Sequence, residues 1–293
     1  MERIGFVGVG LMGHGIATNL RKAGHPLTVI AHRNRTPIDD LVGQGATEAA
    51  TLAELAAASD IVHICAPGSP QVEAIVDAMI EHLPDGAAVV DCSTSNPVST
   101  RMLAERLDAR GFGMADAPLG GTPAQAETGE LAAMVGASDA VFARVKPVLA
   151  TWAKSIDHVG EVGAGHTMKL LNNFLAMGYG AIYSEALALA DASGIAVETF
   201  DEVIRGSRMG CGFYETFRSY VVDGNREAHK FTLTNALKDM TYLSALAGGT
   251  GVANPVGAAI RNSYALAVNT GGDGPEDYVP HLRDFVAKAN GRG

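Results

Sequence analysis

The strongest constraint on this 293-residue chain is the order in which short apolar runs and helix-like segments follow one another. Strand-like runs are expected at Ile4–Val7, Leu27–Ala31, Ile61–Ala66, Ala88–Asp91, Gly113–Asp116, Ala132–Val135 and Ser155–Val159. The early runs are continuously apolar rather than alternating, as for strands covered by helices on both faces. The segments between them carry helix punctuation. Ser69 before Pro70, Asn96 before Pro97 and Ser138 before an apolar-periodic run are N-cap signals. Gly24 and Gly111 stand where a C-terminal glycine belongs. Alternating β and α units predict a doubly wound α/β domain, a Rossmann fold, over residues 1–162.

After residue 162 the pattern changes. Gly163-Ala-Gly165 reads as a flexible lead-in to a long connecting helix within residues 163–193, followed by an all-α domain that completes residues 163–293. In that helix Met168, Leu171, Leu175, Ile182, Ala186 and Leu189 recur at helical spacing. Leu170, Phe174 and Met177 make the opposite face apolar too, so burial on most sides is expected. Asn172, Asn173, Ser184 and Glu185 interrupt the apolar stretch and argue against a membrane span.

Composition narrows the function classes. Hydrophobic residues at 47% and charged residues at 18% allow a substantial core and exclude disorder. A net charge of -10 with no Lys/Arg cluster speaks against nucleic acid or an anionic membrane as partner. Cys65, Cys92 and Cys211 form no disulfide framework and share no metal-ligand spacing, so no metal is expected. The N-terminus runs straight into the first strand and leaves no room for a signal peptide, which points to the cytoplasm.

Gly8-Val-Gly10-Leu11-Met12-Gly13 follows the first strand and opens the helical run His14–Ala23. A GxGxxG pattern is weak alone but informative in this strand–turn–helix context. Its glycines permit a tight turn and a close approach, and the helix N-terminus offers N–H groups to a pyrophosphate. Gly8, Gly10, Leu11, Met12 and Gly13 are therefore candidate cofactor contacts. An NAD site normally carries an acidic residue at the end of the second strand. Here the turn reads His32-Arg33-Asn34-Arg35, and nothing acidic appears until Asp39. Guanidinium groups suit a 2′-phosphate, so NADP is favoured, with NAD possible.

Five blocks together resemble the β-hydroxyacid dehydrogenase family, which embraces 3-hydroxyisobutyrate dehydrogenases, tartronate semialdehyde reductases and sulfolactaldehyde reductases. They are Gly5 to Gly13, Asp91-Cys-Ser-Thr-Ser-Asn-Pro97, Asp116-Ala-Pro-Leu-Gly-Gly121, Gly165-His-Thr-Met-Lys169-Leu-Leu-Asn-Asn173, and Phe231 through Lys238-Asp239. The resemblance implies hydride transfer between NADP(H) and a small β-hydroxyacid/semialdehyde pair, in a homodimer or homotetramer. It implies Lys169 as general acid/base, which suits the alkoxide formed when hydride reaches a carbonyl. Asn173, four residues on, lies on the same helix face, within reach of the lysine or the substrate. By the same resemblance Ala66, Pro67 and Gln71 lie over the nicotinamide ribose, Thr94 and Lys238 contact the cofactor, and Ser93 reaches the substrate.

The chain departs from the family at the substrate loop. Many members carry a serine where this chain has Gly120, so the backbone amides of Gly120, Gly121 and Thr122 are expected to cradle a carboxylate. Sulfolactaldehyde reductases carry arginine in place of Gly121, which argues against a sulfonate here. Arg208 is the candidate compensating cation. Two alternatives use the same scaffold, an imine reductase and a non-catalytic dinucleotide sensor. Lys169 speaks against both.

Overall fold

The computed structural model describes residues 1–292, and the chain divides into two compact units, Met1–Lys169 and the part from Leu170 on. In the first unit β1 (Ile4–Val7) lies between β2 (Leu27–Ile30), with β3 (Thr47–Ala49) beyond it, and β4 (Ile61–Ile64). After β4 come β5 (Ala88–Asp91) and β6 (Gly113–Asp116), and these six strands are all parallel. Next, β8 (Leu131–Gly136) runs antiparallel to β6 and to the short β7 (Leu119–Gly120), and parallel to β9 (Ala153–Gly160). The sheet changes winding direction between β1 and β4, which opens a crevice beyond their carboxyl ends.

All seven expected strands form, four of them with shifted ends. Leu27–Ala31 stops at Ile30 and Ile61–Ala66 at Ile64, where the chain leaves the sheet to make its loops. Two strands were not legible. β3 is an edge strand with two exposed residues of three, and β7 has two residues, too few for any periodicity.

Seven helices cover this sheet: α1 (Gly13–Lys22), α2 (Thr36–Gly43), α3 (Leu52–Ala57), α4 (Ser69–Met79), α5 (Pro97–Asp108), α6 (Pro123–Thr128) and α7 (Asp139–Leu149). Phe6, Ile16, Leu20, Val90, Leu149 and Trp152 belong to one core, and Val7, Val62, Ile64, Val76, Val89 and Leu103 to a second. Two cores explain why β1, β4 and β5 are buried at every position. Asn96 caps α5 by accepting from Val98 N–H, and Ser138 caps α7 by accepting from Val141 N–H. Ser69 is no cap. It is the first residue of α4, and its Oγ accepts from Asn96 N–H at 2.7 Å, tying the two helix starts together.

The 29-residue α8 (Ala164–Ala192) starts one residue after Gly163, so the expected flexible lead-in is ordered helix. The second unit continues with α9 (Val197–Arg205), α10 (Gly212–Val221), α11 (Leu233–Thr250), α12 (Pro255–Asn269) and α13 (Leu282–Ala289). Among the described residues it contains no strand, only an isolated bridge between Thr232 and Tyr278. Leu170, Met177 and Ala181 of α8 pack with Leu233, Met240 and Tyr264. The opposite face is not buried as expected: Met168, Leu171, Leu175, Ile182 and Leu189 are 42–69% exposed. No helix among the described residues is long and apolar enough to cross a membrane.

One core side chain is chemically out of place. His63 on β4 is fully buried, stacked on Phe6 at 6.0 Å between ring centroids and edge-on to Trp152 at 6.4 Å. Neither ring nitrogen has a hydrogen-bond partner, and burial holds the imidazole pKa down to about 3. Below an unfolded value of about 6.5 the unfolded chain therefore binds a proton that the folded chain refuses, and stability falls as pH drops. His63→Leu should remove this loss. Between pH 7 and pH 5 the wild type should lose about 2 kcal/mol more than the variant. Urea unfolding followed by the fluorescence of Trp152, the single tryptophan, measures it. Equal pH slopes would show that His63 is hydrated in the folded state.

Candidate active site

Because β1, β4, β5 and β6 are adjacent and parallel, four loops leave the same edge of the first unit's sheet. The first is the glycine turn. Gly8 has φ of +99°, and a Cβ there would lie 2.1 Å from the Cys65 carbonyl oxygen. A Cβ on Gly13 would lie 2.1 Å from the Gly8 carbonyl oxygen, whereas one on Gly10 would meet nothing within 4 Å. The turn is thus closed behind and open in front. Among the described residues no backbone carbonyl engages the amides of Leu11, Met12 and Gly13. Open space beside these donors at the positive end of α1 fits a pyrophosphate.

Past β2, His32, Arg33, Asn34 and Arg35 are exposed. Asn34 Oδ1 accepts from Thr36 N–H at 3.1 Å and turns the chain into α2. Arg35 is already engaged. It donates to both Glu48 oxygens, at 3.0 and 2.9 Å, and to Asp39 at 3.1 Å. The bonds to Glu48, then those to Asp39, hold its guanidinium above the ordinary arginine value. Glu48 lies on β3, the strand the sequence did not reveal, so this competition was not foreseeable. Arg33 has no hydrogen bond or ion pair among the described residues.

In the loop after β4, Ala66 is half-buried and Pro67 exposed, and Gln71 is exposed in the first turn of α4. In the loop after β5, Thr94 is half-buried, but Ser93 is buried and its Oγ accepts from Ala66 N–H at 2.9 Å. That hydroxyl, expected to reach the substrate, couples the two loops as an acceptor and keeps its own proton to donate. The loop after β6 carries a second difference. Gly120 pairs with Ala132. Gly121 has φ of +129°, and a Cβ there would lie 2.9 Å from the Leu131 side chain and 3.0 Å from Gln125 Oε1, so glycine is required. Thr122 caps α6, and its N–H donates to Gln125 Oε1 at 2.9 Å. The cap takes the Thr122 amide out of the expected three-amide cradle.

Lys169, half-buried, sits early on α8 with Asn173 one turn later. In the second unit, Asn173 is buried and its Nδ2 donates to Asp239 Oδ2 at 2.6 Å. Lys238 Nζ lies 2.9 Å from Asp239 Oδ1 and 5.1 Å from the Tyr242 ring centroid. A fully buried carboxylate thus gathers two expected site residues. Asp239 escaped the residue-level reading; its signal was a carboxylate sharing the apolar stripe of Ala236, Met240 and Leu243 on α11. Arg208 is exposed, without a hydrogen bond or ion pair among the described residues.

Comparison with known proteins agrees with this geometry. Residues 3–160 match the family model described as the NAD binding domain of 6-phosphogluconate dehydrogenase. Residues 163–283 match the NAD-binding domain of NADP-dependent 3-hydroxyisobutyrate dehydrogenase. The chain belongs to the β-hydroxyacid dehydrogenase family of NAD(P)-dependent oxidoreductases. It is similar to the 3-sulfolactaldehyde reductase of Escherichia coli strain K12, 31% identical over 99% of this chain and 97% of the relative. The 3-hydroxyisobutyrate dehydrogenase of Pseudomonas aeruginosa is 31% identical over 91% of this chain and 92% of its own. Among solved structures, the Mycobacterium tuberculosis 3-hydroxyisobutyrate dehydrogenase with L-serine superposes with a TM-score of 0.85, at 25% identity over 96% of this chain and 98% of the other.

Asp239→Ala should leave the buried Asn173 amide without its acceptor and destabilise the helical unit by about 1–3 kcal/mol. Asp239→Asn keeps one oxygen to accept that bond and should cost less. Thermal unfolding of both variants, followed by circular dichroism at a helical wavelength, checks the ranking.

Proposed function

We propose that this chain interconverts small 3-hydroxy acids and their semialdehydes with NADP(H), using Lys169 as general acid/base. The observation that carries the reading is Lys169 on α8, whose first turn is anchored to Asp116 at the edge from which the glycine turn also leaves. Bound at that turn, the nicotinamide dinucleotide supplies or accepts a hydride. The Leu11–Gly13 amides hold the pyrophosphate, and the loops bearing Ala66, Pro67, Gln71 and Thr94 orient the rest. In reduction the Lys169 ammonium donates a proton to the carbonyl oxygen; in oxidation its amine takes the hydroxyl proton. Asn173 and Lys238 serve the same reaction, held by Asp239. The amides of Gly120 and Gly121 face the substrate carboxylate, and Arg208 is the candidate counter-charge.

A panel of 3-hydroxyisobutyrate, 3-hydroxypropionate, L-serine and 2-hydroxy-3-oxopropionate, assayed with NADP(H) and NAD(H), tests the class. Lys169→Ala should lower kcat about a hundredfold or more while cofactor still binds. Near wild-type turnover in that variant would remove Lys169 from the chemistry. Arg208→Ala should raise KM for the acids but not for their amides.

NADP preference rests on Arg33, the guanidinium without a competing carboxylate. Arg33→Ala should raise the NADPH KM about 10- to 150-fold, the worth of a charge-assisted contact, and leave NADH unchanged. Arg35→Ala should do less. The reverse ranking would mean that Arg35 leaves Glu48 when the 2′-phosphate arrives.

The exposed apolar seam of α8 supports a homodimer, or a tetramer built from it. Met168, Leu171, Leu175, Tyr179, Ile182 and Leu189 follow one another at spacings of three, four or seven, as a second copy of the helix would require. Leu175→Glu with Ile182→Glu should yield monomers by analytical ultracentrifugation.

A further inference from the structure

His166 lies three residues before Lys169, in the first turn of α8, and the function proposed above gives it no task. It is fully buried within the first unit. Its Nε2 lies 3.1 Å from the Ser93 carbonyl oxygen. A carbonyl only accepts, so that nitrogen carries a proton. Nδ1 lies 2.8 Å from Thr100 Oγ1, whose hydroxyl is also 3.1 Å from the Asn96 carbonyl oxygen. The ring therefore touches both sides of the loop that joins β5 to α5, the loop that carries Thr94.

Two buried carboxylates flank the imidazole. Asp91 Oδ2 is 3.7 Å from Nε2, and Asp116 Oδ2 is 3.7 Å from Nδ1. Each is also anchored elsewhere. Asp91 accepts from Ser93 N–H at 2.9 Å and from Ser95 Oγ at 2.8 Å. Asp116 accepts from Gly163 N–H and His166 N–H, both at 2.6 Å. A buried hydrogen-bonded network of this kind fixes geometry more firmly than apolar packing does.

We infer that His166 is a positioning residue, locking the start of α8 to the Ser93–Thr94 loop so that Lys169 is held in register with the cofactor loop. The inference rests on Lys169 and Thr94 having the roles proposed above. Its chemical content is specific: a donor toward the Ser93 carbonyl and a partner for Thr100, both from one side chain. Glutamine supplies an amide N–H and an amide oxygen at similar reach, whereas leucine fills the space and supplies neither. A displacement of about 1 Å at a reacting group costs up to about a hundredfold in rate, so a small shift of the α8 start is enough to be read.

The test uses the full chain and two readouts. The first needs no substrate: competitive acetic anhydride labelling of lysines, quantified by mass spectrometry, reports the relative reactivity of Lys169. The second is kcat and KM for whichever acid of the panel turns over fastest, with and without deuterium on the transferring carbon, alongside NADPH affinity by fluorescence. His166→Leu should change Lys169 labelling against the other lysines and lower kcat about 10- to 100-fold. It should also raise the isotope effect and leave NADPH affinity within about threefold. His166→Gln should restore both. Unchanged labelling and kcat in His166→Leu would overturn the inference. So would lower activity with unchanged labelling and isotope effect, because that pattern means fewer folded molecules. If His166→Leu does not fold, Thr100→Val should show the same signature at smaller size, and a silent Thr100→Val would equally overturn it. Activity retained by Lys169→Ala would defeat the functional reading alone, since labelling of Lys169 across the His166 variants still measures its positioning.

Discussion

The Asp116 carboxylate joins two kinds of structure that the chain must hold together. It ends β6 at the carboxyl edge of the sheet, and both its oxygens accept backbone N–H groups at the start of α8. Those N–H groups lack acceptors within their own helix, and a negative charge at the positive end of a helix is favourable. Burial pushes the Asp116 pKa up, while the neighbouring His166 and the two backbone bonds pull it down. The balance makes this aspartate a joint between sheet and helix. Neutralising it would release the first turn of α8 and everything placed on that turn.

The same joint explains two glycines that look like flexible spacers. A Cβ on Gly165 would lie 2.4 Å from the Met134 carbonyl oxygen and 2.6 Å from that of Asp116. One on Gly136 would lie 2.5 Å from Asp116 Oδ1. These positions are glycine because backbone passes within contact of backbone, and the result is rigidity. Local sequence could not distinguish this from flexibility, since both are written as Gly-x-Gly. The distinction lies in what stands opposite, here a strand about thirty residues earlier in the chain.

That limit recurs wherever the sequence reading fell short. Strands packed on both faces were legible because burial on two sides leaves mostly apolar residues. The edge strand β3 was not, and with it went Glu48, the carboxylate that claims Arg35. The glycine turn was legible because strand, turn and helix are contiguous. Ser93 and Thr122 were placed in the right loops, but their bonds to Ala66 and Gln125 could not be read locally. Asp239 was visible as a residue but not as a hub, since its partner Asn173 lies 66 positions away. Elements follow from local pattern, whereas the partner of a polar atom follows from packing.

The occupied arginine bears on how cofactor choice is encoded. A 2′-phosphate must compete with two carboxylates for Arg35, and its charge is of the same sign as theirs. In water-exposed surroundings such ion pairs are weak, so Glu48 and Asp39 do not forbid an exchange. What they do is hold the turn after β2 in one shape, with Arg35 directed back toward β3. Arg33, two residues earlier and without an ion pair among the described residues, would have no partner to give up to a phosphate. Glu48 thus competes with an incoming 2′-phosphate for Arg35 but not for Arg33.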